Sequence, residues 1–193
     1  MERKIHFITD NEYKFQIAAN FFENSGFEII QKPLSPPEIQ SDSLAEIASF
    51  SAKWSVKKLE RPVFLTDAGC FIEALNGFPG PFVKYINQYL KAQDFLKLME
   101  GEKNRKVVFK DCLAYCEPGE DPILFLSSAS GKIASEPGRR GSTPINEIFI
   151  PQGFNRPESE ISRESMIKFW NHNIKNLESL LNHLKNKDNY INN

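Results

Sequence analysis

The chain has 193 residues and a formal net charge of −1 at pH 7, with 40% hydrophobic and 25% charged residues. These proportions are ordinary for a globular protein that buries a core, and the length fits one large domain or two small lobes. A charge so close to zero argues against non-specific nucleic-acid binding, which usually needs a basic face. The sequence contains no run of about 18 apolar residues, so we expect no membrane span.

The amino-terminal segment and the cysteines bear on the cellular compartment. MERKIHFITD passes from a charged start directly into a strand and lacks the apolar core of a signal peptide. Cys70, Cys112 and Cys116 are an odd number without a C-x-x-C spacing, so we expect buried, reduced thiols rather than a disulfide or a metal site. We therefore predict a cytoplasmic protein.

The first third of the chain alternates between strand and helix patterns, which is the signature of an α/β domain. Gly26 is a stop signal for the first helix, and Ser43 or Asp42 caps the second. The apolar periodicity predicts, in chain order, a strand (4–9), a helix (12–24), a strand (27–30), a helix (43–60) and a strand (62–67).

The remainder of the chain predicts a second group of strands between two helices. The segment SEPGRRGSTP is rich in glycine, proline and arginine, so we expect a loop there. The predicted elements are a helix (82–99), strands (106–116, 122–133 and 146–152), a helix (163–184) and a polar, frayed tail (about 185–193). We treat residues 1–193 as a single domain.

The stretch ITDNEYK is a candidate anion site. A strand that ends at Thr9 is followed by a polar turn and a helix that opens near Lys14. The free backbone N–H groups and the dipole of a helix start attract phosphate, and Lys14 adds a positive charge. The alternative is a simple helix cap with a solvated lysine, since the segment has no glycine-rich phosphate loop.

Two carboxylates follow predicted strands. Glu38 lies beyond the second strand, and Asp67 ends the third one, just before a bend that contains two glycines and two prolines. Because strand ends converge on the ligand crevice of open α/β sheets, the two carboxylates could hold Mg²⁺ together with phosphate oxygens. The alternatives are a solvated loop acid at Glu38 and a turn-forming residue at Asp67.

Two further positions carry weaker signals. Lys53 lies within a predicted helix, where a lysine is usually solvated, and His172 in the segment WNHN has no second histidine or cysteine at metal-binding spacing. The sequence also lacks the G-x-S-x-G signature of a serine nucleophile. From the residues alone, the chain is an α/β protein with a plausible site for Mg²⁺ and phosphate.

Taken together, these segments resemble the inosine triphosphatase family, which hydrolyses non-standard purine nucleoside triphosphates to the monophosphate and pyrophosphate. The most specific match to the family pattern L-x-G-x-P-G-(P/I)-(Y/F) is Leu75–Phe82, and GKIASEPGRRG followed by IFIPQGF matches a second pattern. The resemblance covers about residues 4–183. The remaining matches to family motifs are Thr9–Lys14, Pro37–Gln40, Lys53 and Thr66–Gly69.

The resemblance implies a role for each candidate on the phosphate side. It makes Asp67 the catalytic carboxylate, and Glu38 and Asp67 the ligands of Mg²⁺. The phosphate-binding residues that it implies are Thr9, Asn11, Lys14 and Lys53. It also implies a homodimer and an α/β fold in which an elongated mixed sheet, flanked by helices, forms two lobes around a central nucleotide cleft.

The departures from the family cluster where the resemblance places the base. Its stacking phenylalanine is Thr143 here, its base-reading aspartate is Asn146, and its S-H-R segment keeps His172 but replaces arginine with Asn173. An ionised aspartate only accepts hydrogen bonds and an arginine only donates them, so that pair selects 6-keto purines. An asparagine does either, so this pair no longer excludes adenine-like edges. The family lysine five residues before the histidine is Ile167.

Three departures affect the phosphate side. Thr66 removes an acid beside Asp67, Ala68 removes a hydroxyl, and Asp10 adds a carboxylate where the family has glycine. Our leading hypothesis is an Mg²⁺-dependent purine nucleoside-triphosphate pyrophosphatase with a shifted base preference. The alternatives are a housekeeping ITP and XTP pyrophosphatase, or a nucleotide-binding module without turnover.

Overall fold

The computed structural model describes residues 3–191, and the side chains of residues 3–12 and 14–187. Within this range the chain forms one mixed sheet and six α-helices. The strands are β1 (Arg3–Ile8), β2 (Phe27–Lys32), β3 (Val63–Ile72), β4 (Pro79–Gly80), β5 (Lys106–Cys116), β6 (Ile123–Ile133) and β7 (Phe149–Pro151). The helices are α1 (Glu12–Phe22), α2 (Leu44–Leu59), α3 (Val83–Tyr89), α4 (Ala92–Leu98), α5 (Arg163–Asn173) and α6 (Asn176–Ile191).

The sheet order is β2-β1-β3-β5-β6-β7, and β4 pairs with β3. The chain divides into two compact units, and β3, β5 and β6 each contribute residues to both of them. The first unit contains the residues up to Asp67, Cys112–Leu126 and the residues from Lys175 onward. The second unit contains Ala68–Asp111 and Ser127–Ile174.

The first unit is built on a strand–helix–strand arrangement. β1 pairs in parallel with β2 and with β3, and apolar side chains of these strands pack with α1 and α6. The ring of Phe7 stacks on that of Phe64 at a centroid distance of 4.3 Å, and Phe22 of α1 completes the aromatic cluster. The parallel pairing places the carboxyl ends of β1 and β2 at one edge of the sheet.

The sequence predicted that the strand containing Asp67 ends at that residue. In the structure this strand continues to Ile72. It changes its partner instead, because its start pairs in parallel with β1 while Cys70 pairs antiparallel with Gly80 of β4. Gly69 permits the close approach of β4, since a Cβ atom there would lie 2.8 Å from the carbonyl oxygen of Gly80. The glycine-proline bend thus brings the chain back, so that β4 pairs with β3.

The second unit has its own core, formed by α4, α5 and the strands that they cover. Phe149 of β7 lies at its centre, with Phe109, Phe169 and Trp170 around its ring. Arg105 fastens the adjoining turns, because its guanidinium donates to the carbonyl oxygens of Met99, Ile133 and Ala134. These contacts support the loop before β7, which carries two of the candidate residues.

Two of the predicted helices were too long. The segment 82–99 forms α3 and α4, with a break at Leu90 and Lys91, and the helix predicted for 163–184 breaks at Ile174 and Lys175. The apolar stripe continues across both breaks, so periodicity alone does not reveal them.

The predicted frayed tail over 185–193 is also wrong for the described part, since α6 runs to Ile191. The buried residues Leu180 and Leu184 hold this helix against the core of the first unit. Residues 192 and 193 lie outside the described range.

The predicted α/β class, with a mixed sheet flanked by helices, is confirmed. The three cysteines are buried and free, as expected. Among the described residues, no helix is long and apolar enough to cross a membrane.

Candidate active site

The turn between β1 and α1 holds three of the predicted phosphate-binding residues. Asn11 caps α1, because its Oδ1 accepts from the backbone N–H of Lys14 at 3.1 Å, and its own N–H donates to Oγ1 of Thr9 at 3.1 Å. The Lys14 side chain is exposed. The two interpretations of this segment, a helix cap and an anion site, are therefore compatible. A capped helix start still presents a partial positive charge, and here it lies beside an exposed ammonium. Asp10 is exposed to solvent.

The register of the parallel strands brings Asp67 to the same edge. Phe7 stands opposite Phe64, so continuing the pairing by two residues places Thr66 level with Thr9. The ammonium of Lys14 lies 3.5 Å from Oγ1 of Thr66, next to the half-buried Asp67. Although Asp67 is internal to its strand, it therefore lies at the carboxyl edge of the parallel part of the sheet.

Glu38 lies in the same unit, on the exposed connection between β2 and α2. No group of three or more His, Cys, Asp or Glu side chains that could hold a metal occurs among the described residues. A site for Mg²⁺ does not need such a group, because this ion often takes one or two protein carboxylates and completes its shell with phosphate oxygens and water. The donor chemistry of Glu38 and Asp67 fits that requirement.

Lys53 has a partner that the sequence did not indicate. Its ammonium lies 2.7 Å from Oδ1 of Asp121, in the turn between β5 and β6, and both side chains are largely exposed. The hydrogen bond and the negative charge of Asp121 raise the pKa of Lys53 above its ordinary value, and burial opposes this slightly. The Lys53 ammonium therefore faces a carboxylate in this structure.

The base-side candidates lie in the second unit, where the loop before β7 holds Thr143 and Asn146. Oδ1 of Asn146 accepts from the Thr143 hydroxyl at 2.6 Å and from the Ser142 hydroxyl at 2.8 Å. Its Nδ2 donates to Oε2 of Glu158 at 2.8 Å. Three hydrogen bonds within the protein therefore hold the amide of Asn146.

Glu158 was missed by the sequence reading. It is half-buried in a short 3₁₀ helix after β7, and its other oxygen, Oε1, accepts from the indole N–H of Trp170 at 3.4 Å. Burial raises the pKa of the Glu158 carboxyl above its ordinary value of 4.5, and the hydrogen bonds from Asn146 and Trp170 offset part of that rise. A half-buried carboxyl with a raised pKa and polar partners is a candidate functional residue. Only the folded structure reveals such a group.

His172 and Asn173 lie in the last turn of α5, beside a cavity of about 520 Å³. Nδ2 of Asn173 donates to the carbonyl oxygen of Phe169 in its own helix at 2.8 Å. The wall of the cavity combines polar and aromatic side chains. The lining residues are Gln152, Gly153, Phe154, Ser165, Lys168, Phe169, His172 and Asn173.

The predicted residues thus fall into two groups that coincide with the two units. The phosphate and metal candidates lie in the first unit, and the base candidates lie in the second. Contacts join Thr9, Asn11 and Lys14 in the first unit, and Thr143 with Asn146 in the second. Glu158 links the loop of Asn146 to α5 through Trp170.

Comparison with known proteins decides the family. The sequence model of the Ham1 family matches residues 5–186. This chain belongs to the Ham1 family. A relative from Thermococcus kodakarensis, named dITP/XTP pyrophosphatase, is 41% identical over 94% of this chain and 97% of its own length. A relative of the same name from Methanopyrus kandleri is 40% identical over 95% of this chain and 97% of its own length.

Solved structures place the fold in the same group. A Ham1 protein from Coxiella burnetii has a TM-score of 0.82 at 22% identity, covering 95% of this chain and 99% of that one. The Staphylococcus aureus Ham1 protein has a TM-score of 0.81 at 19% identity, covering 96% of this chain and 100% of that one. The Ham1 fold is therefore present over nearly the full length of the chain.

Proposed function

We propose that this protein is an Mg²⁺-dependent purine nucleoside-triphosphate pyrophosphatase. The single observation that carries the proposal is the 41% identity, over 94% of the chain, to a relative named dITP/XTP pyrophosphatase. In the reaction, water adds across the anhydride between the α and β phosphates, and the products are the nucleoside monophosphate and pyrophosphate. The position of Asp67, which follows Thr66, the residue that Lys14 contacts, at the carboxyl edge of the parallel strands, supports the assignment.

The polar turn and the exposed cations would bind the triphosphate. The helix start at Asn11 offers backbone N–H groups, and the Lys14 ammonium lies beside it. Lys53 would exchange the carboxylate of Asp121 for a phosphate oxygen, since both partners are exposed and the ion pair is open to solvent. Charge-assisted hydrogen bonds of this kind hold a polyanion and offset the charge that develops in the reaction.

Asp67 would act on the attacking water. A half-buried carboxylate at a strand edge is a suitable acceptor for a water proton, which orients the oxygen toward phosphorus. Glu38 and Asp67 would hold Mg²⁺, which neutralises phosphate charge and favours departure of pyrophosphate when it is bound. Thr66 supplies a hydroxyl instead of a further carboxylate, so we expect slow turnover.

The identity of the base has two candidate answers. The names of the relatives favour dITP and XTP, with Asn146 and Asn173 as substitutes for the family pair. The clustered departures at Thr143, Asn146 and Asn173 favour a shifted preference. A nucleotide-binding module without turnover remains the rival from another class, and Thr66, Ala68 and Asp10 favour it.

Two further predictions accompany this function. The resemblance implies a homodimer, which sedimentation of the purified protein tests directly. The free, buried cysteines support a cytoplasmic location. Localisation of the tagged chain in its own cell tests that prediction.

The test is pyrophosphate release from ITP, XTP, dITP, ATP and GTP, with Mg²⁺ and with EDTA. We expect release that EDTA abolishes, and Glu38→Gln should raise the Mg²⁺ concentration that gives half-maximal rate. Unchanged activity in EDTA would contradict the metal requirement. Nucleotide binding without any release, even at high protein concentration, would support the binding module.

A further inference from the structure

The loop of residues 138–147, which carries Thr143 and Asn146, is held by a short segment that follows it in the chain. This segment, the brace (residues 157–160), is the 3₁₀ helix Glu158–Glu160 together with the proline before it, and it lies in the second unit with the loop. A loop with little regular backbone hydrogen bonding depends on such contacts for its shape. The loop is called the base loop below, because the proposed function assigns its residues to the base.

The carboxylate of Glu158 joins two elements of the second unit. Its Oε2 accepts from Nδ2 of Asn146 at 2.8 Å, and its Oε1 accepts from the indole N–H of Trp170 at 3.4 Å. An ionised carboxylate has only acceptors, so each oxygen suits the donor that it meets. Asn146 belongs to the base loop and Trp170 to α5, so one half-buried carboxylate ties the loop to the helix.

A second carboxylate of the brace holds the beginning of the base loop. Oε1 of Glu160 accepts from the backbone N–H of Arg139 at 3.2 Å, although the Arg139 side chain is exposed. Within the loop itself, Oε1 of Glu147 accepts from the backbone N–H of Gly141 at 3.2 Å. The backbone of the base loop is therefore fastened by side chains near both of its ends.

The brace also packs closely against two glycines of the base loop. A Cβ atom at Gly138 would lie 3.0 Å from the Pro157 ring and from Oγ of Ser159, and one at Gly141 would lie 3.2 Å from Cβ of Ser159. Within the described part of the chain, Oγ of Ser159 is buried without a hydrogen-bond partner. This part of the contact is therefore steric, and the polar hold on the loop comes from the two carboxylates of the brace.

We propose that Glu158 is a positioning residue, which fixes the base loop on α5 and so sets the shape of the surface that meets the base of the nucleotide. The inference rests on the proposed function, which assigns Thr143 and Asn146 to the base. Glu158 holds the loop and does not itself contact the nucleotide. The phosphate candidates lie in the first unit, so the loss of this hold should weaken recognition of the base and leave recognition of phosphate unchanged.

Limited proteolysis tests the hold on the base loop without any need for turnover. Arg139 and Arg140 are consecutive, exposed trypsin sites within this loop. Glu158→Gln keeps the size of the side chain but replaces one acceptor oxygen with an amide that faces a donor, so trypsin should cut after these arginines about tenfold faster. Glu164→Gln removes only an exposed ion pair with Lys168, and it should be cut at the wild-type rate.

Steady-state kinetics tests whether the hold serves the base. In Glu158→Gln, KM for ITP and XTP should rise about tenfold with a smaller change in kcat, because the bound base loses part of its fixed surface. The inhibition constant of pyrophosphate, which has no base, should stay at its wild-type value. A general loss of structure would weaken both. If no nucleotide is turned over, equilibrium binding of ITP replaces KM, so the failure of the proposed function is seen separately.

Three results would overturn the inference. Wild-type rates of cleavage in Glu158→Gln, with unchanged KM, would do so and leave the pyrophosphatase function intact. Faster cleavage with unchanged nucleotide binding would remove the role in the base site, and so would an equal loss of nucleotide and pyrophosphate binding. If Glu158→Gln does not fold, the wild type decides. Cleavage after Arg139 or Arg140 as fast as in the heat-denatured chain overturns the inference, and protection of at least about tenfold supports it.

Discussion

The polar side chains of the two units differ in how firmly they are held. In the first unit, Lys14 and Lys53 are exposed, and each touches a group that a phosphate could replace. In the second unit, Asn146 has three hydrogen bonds to neighbouring side chains. A phosphate site needs charge near a flexible ligand and tolerates exchange of partners. A base site needs donors and acceptors of fixed polarity, and under the proposed function the hydrogen bonds of Asn146 would serve that need.

The largest expected effect on activity is at Asp67, in the first unit. Asp67→Asn keeps the shape of the side chain but removes the acceptor for the water proton, so kcat should fall by about a thousandfold. Pyrophosphate release under saturating nucleotide measures the change. Asp42→Asn, in the exposed connection before α2, should retain wild-type activity. Equal loss in both variants would show that Asp67 has no special role.

A substitution at Gly69 tests the close approach of β4 to β3, at the place where β3 changes its pairing from β1 to β4. In Gly69→Ala, the new methyl group would meet the carbonyl of Gly80 at 2.8 Å, so the backbone has to move. We expect the free energy of unfolding to fall by about 1–3 kcal/mol. Chemical denaturation measures it, with the exposed neighbour change Ala68→Ser as a control. A stability equal to that of the wild type would contradict the close approach of β4.

Lys53 and Asp121 test whether the phosphate side binds by exchangeable charge. Lys53→Ala should raise KM for the nucleotide by about tenfold with a smaller change in kcat, because a contact to the bound phosphates is lost. Asp121→Asn should lower KM, since it removes the competing anion at 2.7 Å. Steady-state kinetics at low salt measures both changes, and Lys57→Ala in the same helix is the control. A rise in KM for Asp121→Asn would mean that this carboxylate positions Lys53 instead of competing for it.

The smallest expected effect is a pH-dependent one, at Glu117 in the first unit, which lies outside the candidate site and accepts hydrogen bonds from Tyr115 and Lys187. Burial raises the pKa of Glu117, but hydrogen bonds from Lys187 and Tyr115 outweigh it, so the pKa lies below its ordinary value of 4.5. A carboxyl with a lowered folded pKa stabilises the fold above its ordinary pKa and loses that contribution as the pH falls through the folded value. Glu117→Gln should therefore lower Tm at pH 7.

The difference in Tm between this variant and the wild type should narrow as the pH falls below 4.5, toward the lowered pKa of Glu117. Thermal melts between neutral and acid pH measure it, with Glu120→Gln, an exposed residue of the same turn, as the control. A constant difference across that range would contradict the lowered pKa.

The order of strands and helices in the first unit could be predicted from sequence, because its elements are short and their apolar patterns end at glycine, proline or capping residues. Of the two residues predicted to cap α2, Ser43 and Asp42, the cap is Ser43, since its Oγ accepts from the N–H of Glu46 at 3.3 Å. The breaks at Leu90 and Ile174 were missed because apolar residues continue through them. The prediction that β3 ends at Asp67 failed because a strand can change partners without a turn.

The candidate site could be predicted only in part. The residues of the β1–α1 turn are close in sequence, so their contacts follow from a short motif. Asp121 is far in sequence from its partner Lys53, and Glu158 lies outside the family motifs. Nothing in the local sequence pattern pairs either carboxylate with a candidate site residue. The polarity of Asn146 was left open by the sequence, because an isolated asparagine donates and accepts equally well. In the folded chain its Oδ1 faces the hydroxyls of Ser142 and Thr143, and its Nδ2 donates to Glu158.

The most direct test of the central claim is product analysis after incubation of the wild type with Mg²⁺ and single purine nucleoside triphosphates. The account predicts equal amounts of nucleoside monophosphate and pyrophosphate from at least one of them, and neither product from Asp67→Asn. Formation of the nucleoside diphosphate and orthophosphate, or nucleotide binding with no product at all, would contradict it.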